Sequence, residues 1–178
     1  MIREAAEFAE RAHEGVYRKG TKIPYITHPM ETAAIVTAFT NEPEMIAAAL
    51  LHDVIEDAGV TKEELEEKFG SRVAFLVESE SEDKSRSWME RKGTTVEHLK
   101  SATRDEKILA LADKLSNIRS TVRDYLVLGD EVWQRFNQKD KAMHGWFYRQ
   151  TAEALRELEE YPAWQEYDRL IRKVFEQG

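Results

Sequence analysis

One segment of the sequence places four ionisable side chains directly after an apolar run, at helical spacing. In a continuous helix these four groups would share a face with Ala49, because they stand three, four, seven and eight residues after it. They are His52, Asp53, Glu56 and Asp57. Carboxylates on a core-facing surface cost several kcal/mol unless a cation or a hydrogen-bonding partner compensates them. The segment therefore predicts a bound cation, and a divalent metal is the simplest candidate.

Two further residues could complete a metal site. His28 directly precedes a proline, after an entry segment over residues 23–26 that we expect to be extended. Asp113 interrupts an otherwise apolar helical stretch. A mixture of imidazole and carboxylate ligands suits Mn, Fe, Co, Ni or Zn rather than Ca or Mg alone. The candidate metal ligands are therefore His28, His52, Asp53 and Asp113.

Each of these residues has a simpler interpretation when it is taken alone. His28 could be a hydrogen-bonded histidine beside a turn, and Asp113 could pair with a neighbouring basic residue. Glu56 and Asp57 could simply end a helix. The combination favours a metal site, because an upstream histidine, a His-Asp pair on a core face and an aspartate within a helix rarely occur together by chance.

Helices must position these residues. The chain has 178 residues, of which 42% are hydrophobic, but only eight glycines and four prolines interrupt it. Apolar residues recur at helical spacing, which predicts an all-α fold and a single domain over residues 1–178. The expected helices cover residues 2–14, 29–39, 43–57, 61–70, 72–77, 88–99, 104–128, 139–160 and 163–178. Thr61 and Glu64 predict a capping box, and Glu78–Ser87 is expected to be a long polar loop.

Composition excludes several classes of function. The formal net charge is −8, which argues against a protein organised around nucleic-acid binding. There is no cysteine, so disulfides, thiolate zinc sites and cysteine nucleophiles are excluded. No apolar run approaches the roughly 20 residues of a membrane span, and the amino terminus lacks an apolar signal core. We therefore expect a cytoplasmic protein with neither a membrane nor a nucleic-acid partner; the sequence leaves the oligomeric state open.

The order His28, His52-Asp53, Asp113 resembles the signature of the HD-domain metal-dependent phosphohydrolases. Three flanking segments are similar, more specifically, to the hydrolase domain of RelA/SpoT homologues, and the small stand-alone alarmone hydrolases are the best match. The segments are Arg18-Lys19 with the run Tyr25–Pro29, Ala48–Asp57 and Leu111–Asn117. The similarity spans residues 2–124 and arguably the whole chain.

This resemblance implies an HD-domain helical bundle and a specific reaction. A manganese ion, or another divalent transition metal, would be held by the four candidate ligands. Glu56 and Asp57 would position or deprotonate the attacking water. The substrate would be a small nucleotide, (p)ppGpp, and hydrolysis of its 3′-pyrophosphate would release pyrophosphate and GDP or GTP. Arg18 would stack on the base, Lys19 would lie near phosphate, and Asn117 would contact the nucleoside.

A second basic pair, Arg91-Lys92, could clamp phosphate or could simply be a solvated helix face. The adjacent aromatic residues 146–148 are expected to pack in the core rather than to wall a nucleotide pocket. Larger RelA/SpoT enzymes carry a Gly-Val-Thr-Lys element where this chain has the acidic loop Glu78–Ser87. Two alternatives therefore stay open: an HD phosphohydrolase for another nucleotide or phosphorylated small molecule, and a non-catalytic helical module that senses a ligand or binds a partner.

Overall fold

The computed structural model describes residues 1–176, and this part of the chain is built from α-helices with no β-strand. The helices are α1 (Ile2–Ala12), α2 (Thr27–Val36), α3 (Pro43–Leu51), α4 (Val54–Ala58), α5 (Lys62–Phe69), α6 (Ser71–Glu80), α7 (Trp88–Ser101), α8 (Arg104–Leu128), α9 (Lys141–Ala154) and α10 (Pro162–Phe175). Two 3-10 helices cover Gly129–Arg135 and Arg156–Leu158. The prediction of an all-α fold is confirmed.

The chain divides into two compact units. The first contains residues 1–82 and 103–113, and the second contains residues 83–102 and the described residues from 114 onward. No helix within residues 1–176 is long and apolar enough to cross a bilayer.

Helix α3 is the centre of the first unit. It packs against α1, α2 and α6, and its residues 47–49 and Leu51 are fully buried. Because three of these residues are alanines, neighbouring helix backbones can approach closely. Arg72 on α6 adds polar contacts, since its guanidinium donates to carboxylates of Glu42, Glu44 and Asp105 at 2.5 to 2.9 Å.

The stretch predicted as one helix over residues 43–57 is instead two helices. Helix α3 ends at Leu51 and α4 begins at Val54. The Nδ1 atom of His52 lies 2.8 Å from the carbonyl oxygen of Ala49. In a continuous helix that oxygen would accept the backbone N–H of Asp53, so the imidazole competes with the helical hydrogen bond. The four ionisable groups therefore do not lie on one continuous helix as predicted, since two precede α4 and two lie on it. Gly59, with φ of +69°, ends α4 as its position predicts.

The remaining boundaries are close to those predicted from the sequence, with three differences. Thr61 and Glu64 form the predicted capping box. The predicted polar loop starts later, because α6 continues to Glu80 and Glu78 pairs with Lys62 on α5 at 2.6 Å. Residues 23–26 are extended only in part, because Pro24 forms an isolated antiparallel bridge with Tyr17 and residues 25–26 form a turn. The helix predicted over residues 139–160 ends at Ala154 and is followed by the second 3-10 helix.

Aromatic side chains form much of the core of the second unit. Trp133 is buried and its ring lies within 5.0 to 5.5 Å of the rings of His144 and Phe175. Phe147 and Tyr148 are also buried, as the packing interpretation predicted. Helices α7 and α10 both pack against α9.

Candidate metal centre

The four predicted ligands come from three places in the first unit. His28 is the second residue of α2, His52 and Asp53 form the turn between α3 and α4, and Asp113 lies within α8. Both histidines are buried, Asp113 is 8% exposed, and Asp53 is half-buried. The break after Leu51 therefore has a structural consequence, because it places two potential ligands in one tight turn.

The Nε2 atom of each histidine lies close to both carboxylates. Nε2 of His28 lies 3.0 Å from Oδ1 of Asp113 and 3.5 Å from Oδ2 of Asp53. Nε2 of His52 lies 3.0 Å from the same oxygen of Asp53 and 3.5 Å from that of Asp113. The two Nε2 atoms are 3.1 Å apart. Ligand atoms at about 2.1 Å from one ion lie roughly 3.0 to 3.4 Å from each other, so the spacings among His28, His52 and Asp113 fit a single divalent cation, and Asp53 lies beside both histidines.

The hydrogen bond of His52 assigns its tautomer. A backbone carbonyl can only accept, so Nδ1 of His52 must donate its proton to Ala49. In the neutral imidazole the lone pair is then on Nε2, the atom that faces the potential ligand atoms of His28, Asp53 and Asp113. His28, His52 and Asp113 thus form a buried set whose ligand atoms could hold a metal ion.

The electrostatics of the centre also favour a cation. Burial opposes a charged imidazole at His52, but the carboxylates of Asp53 and Asp113 outweigh it and raise the pKa of His52 well above its ordinary value. Burial likewise disfavours an ionised Asp53, yet the nearby His52 imidazole holds the pKa of Asp53 well below its usual range. At His28 burial dominates and lowers the pKa. The Asp53 carboxylate therefore stays ionised and attracts positive charge.

Glu56 and Asp57 lie in the first turn of α4, three and four residues after Asp53. Glu56 is half-buried, and its Oε2 accepts the backbone N–H of Glu82 at 3.3 Å. Asp57 is exposed. Both carboxylates therefore follow the proposed ligand by one helical turn, while their catalytic roles stay predictions.

Arg18 and Lys19 lie in the loop between α1 and α2. Two backbone hydrogen bonds close this loop, from Arg18 to Ile23 and from Tyr25 to Val16, both at 2.9 Å. Lys19 is exposed, whereas Arg18 is half-buried with its guanidinium carbon 5.6 Å from the centre of the Tyr25 ring. The loop thus brings Arg18 against a tyrosine that itself contacts the metal centre.

The other three predicted substrate residues belong to the second unit. Asn117 is half-buried on α8, and Arg91 and Lys92 are half-buried on α7. The ammonium of Lys92 lies 4.9 Å from the centre of the Phe147 ring, so its side chain packs on an aromatic face rather than extending freely into solvent. Their contacts with substrate stay predictions.

One contact of the centre was missed by the sequence analysis. The hydroxyl of Tyr25 donates to Oδ2 of Asp53 at 2.6 Å. The two residues are 28 positions apart, so no local pattern indicates the bond. The only sequence signal was the place of Tyr25 at the start of the run Tyr25–Pro29.

Comparison with known proteins shows the family to which the chain belongs. A family profile described as an HD domain matches residues 5–139. The guanosine-3′,5′-bis(diphosphate) 3′-pyrophosphohydrolase MESH1 of Xenopus tropicalis is 40% identical over 126 residues, which cover 69% of this chain and 70% of that protein. The human protein of the same name is 42% identical over the same shares.

A solved structure of a related protein is similar to nearly all of this chain. It is described as that of a metazoan orthologue of SpoT that hydrolyses ppGpp, and it matches with a TM-score of 0.82 and 26% identity. The match covers 97% of this chain and 94% of that one. The chain therefore belongs to the HD-domain family, as a relative of the guanosine-3′,5′-bis(diphosphate) 3′-pyrophosphohydrolases.

Proposed function

We propose that this protein is a metal-dependent hydrolase that removes the 3′-pyrophosphate of (p)ppGpp. The observation that carries the proposal is the convergence of two imidazole nitrogens and two carboxylate oxygens at 3.0 to 3.5 Å. The substrate is supported by relatives that are 40% and 42% identical and are named for this reaction.

The donor set points to a transition metal. His28, His52, Asp53 and Asp113 would hold it, and we propose manganese because imidazole and carboxylate ligands together suit a borderline divalent ion. When bound, such an ion supplies a Lewis acid that lowers the pKa of a water molecule and offsets negative charge on phosphoryl oxygens.

Glu56 and Asp57 of α4 would handle the proton of the attacking water. A carboxylate oxygen of Glu56 or Asp57 accepts this proton while the water oxygen bonds to the phosphorus attached to O3′. The bond between that phosphorus and O3′ breaks, and the carboxylic acid passes the proton it accepted to O3′, which restores the carboxylate. The products are pyrophosphate and GDP or GTP.

Basic side chains would bind the polyanionic substrate in a protein whose net charge is −8. Arg18 would stack on the guanine base and Lys19 would pair with phosphate. Asn117 would hydrogen-bond to the nucleoside, and Arg91 with Lys92 would clamp a second phosphate group. The aromatic contact of Arg18 supports its role, because it holds the guanidinium as a flat surface for stacking.

We also propose that residues 1–178 act as one domain, and the family profile over residues 5–139 supports this because it includes parts of both compact units. A cytoplasmic location belongs to the same proposal. It is supported by the nucleotide substrate and by a sequence without cysteine.

The test is hydrolysis of ppGpp by metal-stripped protein with and without added Mn²⁺. Chromatography follows pyrophosphate and GDP, beside a panel of ordinary nucleotides. We expect both products in equal amounts, only when metal is present, and little cleavage of the panel. Cleavage of a panel member without cleavage of ppGpp would keep the metal chemistry but reassign the substrate. No bound metal under any preparation would favour a non-catalytic helical module.

A further inference from the structure

Tyr25 is held at a defined position beside the metal centre. Its backbone N–H donates to the carbonyl of Val16 at 2.9 Å, and its own carbonyl accepts the N–H of His28 at 2.9 Å. The side chain is half-buried. Because both sides of its peptide backbone are hydrogen-bonded, the orientation of the phenol is set by the loop and by the start of α2 together.

The hydroxyl of Tyr25 and both histidines share one oxygen atom. Oδ2 of Asp53 accepts the tyrosine proton at 2.6 Å and lies 3.0 Å from Nε2 of His52. A carboxylate oxygen has two lone pairs, so this bond leaves a second lone pair for the centre. A bond this short to an ionised acceptor is among the stronger hydrogen bonds in proteins.

The phenol O–H donates this hydrogen bond to the carboxylate. An ionised Asp53 can only accept. The direction of the hydrogen bond is therefore fixed, and it opposes rotation of the Asp53 carboxylate about its terminal torsion.

The ring of Tyr25 has contacts of its own. It packs against His13 with 4.8 Å between ring centres and against His28 with 5.8 Å. His13 is buried, and its Nε2 has no hydrogen-bond partner among the described residues, so it supports Tyr25 by packing. The guanidinium of Arg18 lies over the same ring at 5.6 Å.

We infer that Tyr25 is a positioning residue with two separable functions: its hydroxyl orients Asp53 for metal binding, and its ring orients Arg18 for substrate binding. The inference rests on the proposed function, since it assumes that Asp53 is a ligand and that Arg18 contacts the nucleotide. Mutation of a residue that hydrogen-bonds to a metal ligand typically lowers metal affinity or activity by about 10- to 100-fold.

The variant Tyr25→Phe separates the two functions, because it removes the hydroxyl and keeps the ring. Electron paramagnetic resonance of free Mn²⁺ gives the Mn²⁺ dissociation constant of the protein, and this measurement does not depend on its catalytic activity. We expect the Mn²⁺ dissociation constant to rise about 10- to 100-fold, while KM for ppGpp at saturating Mn²⁺ stays within twofold of the parent value. Tyr25→Leu, which removes both groups, should weaken Mn²⁺ binding similarly and also raise KM for ppGpp.

The matched control is Tyr125→Phe. Tyr125 is also half-buried, and its hydroxyl accepts a hydrogen bond from Lys141 at 2.8 Å in the second unit. This change should leave the Mn²⁺ dissociation constant within twofold of the parent value. Far-UV circular dichroism and Tm establish that all three variants fold.

The outcomes distinguish this inference from the proposed function. A parent protein that binds no Mn²⁺ or leaves ppGpp intact would overturn the proposed function and the inference together. A parent that binds Mn²⁺ and hydrolyses ppGpp, with unchanged Mn²⁺ affinity in Tyr25→Phe, would overturn the inference alone. A rise in KM without a change in Mn²⁺ affinity would also overturn it, because the hydroxyl would then act on substrate rather than on Asp53.

Discussion

The imidazole of His52 donates its Nδ1 proton to the carbonyl oxygen of Ala49 at 2.8 Å, within the turn that ends α3. The bond lies at the break between α3 and α4, and it leaves the Nε2 atom of His52 facing His28, Asp53 and Asp113. One hydrogen bond therefore links the end of a helix to the ligand chemistry of the centre.

Removing a ligand should remove the metal. We expect His52→Ala and Asp53→Ala to lower the metal content from near one equivalent to near zero, as measured by inductively coupled plasma mass spectrometry after dialysis. Mn²⁺ should also raise the Tm of the parent protein but not that of either variant, because ligand at 100 times its Kd stabilises a fold by about 2.7 kcal/mol. Unchanged metal content in both variants would place the metal elsewhere.

Glu56 and Asp57 should matter for turnover rather than for metal binding. We expect Glu56→Gln and Asp57→Asn each to retain about one equivalent of Mn²⁺ while kcat falls about 100-fold, the lower range for general acid-base catalysis. Glu67→Gln is a suitable control, because Glu67 is exposed on α5. Loss of metal or of folding in both site variants would instead indicate a structural role for these carboxylates.

Arg18 should act on substrate affinity. We expect Arg18→Ala to raise KM for ppGpp about tenfold, because loss of one stacked, charged contact of 1 to 2 kcal/mol corresponds to about that factor. Arg11→Ala changes an exposed arginine on α1 and should leave KM unchanged. Steady-state kinetics at saturating Mn²⁺ measures both values. An unchanged KM in Arg18→Ala would exclude the assignment of Arg18 to the guanine base.

Glu166 should contribute pH-dependent stability to the second unit. Arg119 donates two hydrogen bonds to it, at 2.8 and 2.7 Å, and these bonds lower the pKa of Glu166 below its ordinary value. A carboxyl group whose pKa is lower in the folded state than in the unfolded state stabilises the folded protein. This stabilisation is fully present above the unfolded-state pKa of about 4.3, and it is lost as the pH falls through the folded-state pKa. We expect Glu166→Gln to lower the free energy of unfolding by about 1 kcal/mol at pH 7, with the difference vanishing in acid.

Urea denaturation at several pH values measures this effect. Glu153→Gln is the control, because Glu153 pairs with Arg156 at 3.2 Å on an exposed surface and should contribute less. A difference for Glu166→Gln that persists below pH 3 would mean that the carboxylate charge is not its source.

Much of the fold was predictable because local rules decide it. The long helix α8 begins and ends at the residues that apolar spacing predicts, and the capping box of Thr61 forms as its motif indicates. The break after Leu51 was not predictable from periodicity, since apolar spacing does not register the bond from the His52 side chain to the backbone of Ala49. The later start of the polar loop was also missed, and the pair that joins Glu78 to Lys62 there links residues 16 positions apart.

The candidate site was likewise predictable from the sequence only in part. Its four ligands were proposed from residue types and from the resemblance to a family, and the structure brings their donor atoms together. The bond from Tyr25 to Asp53 and the packing of His13 behind it depend on the path of the loop between α1 and α2. No spacing rule describes that path, because the loop is held by tertiary hydrogen bonds.

The most direct test of the metal centre is the anomalous scattering of crystals grown with Mn²⁺. We expect one strong anomalous peak within bonding distance of Nε2 of His28, Nε2 of His52, Oδ2 of Asp53 and Oδ1 of Asp113. A peak elsewhere in the protein, with these four atoms bonded only to one another or to water, would contradict it.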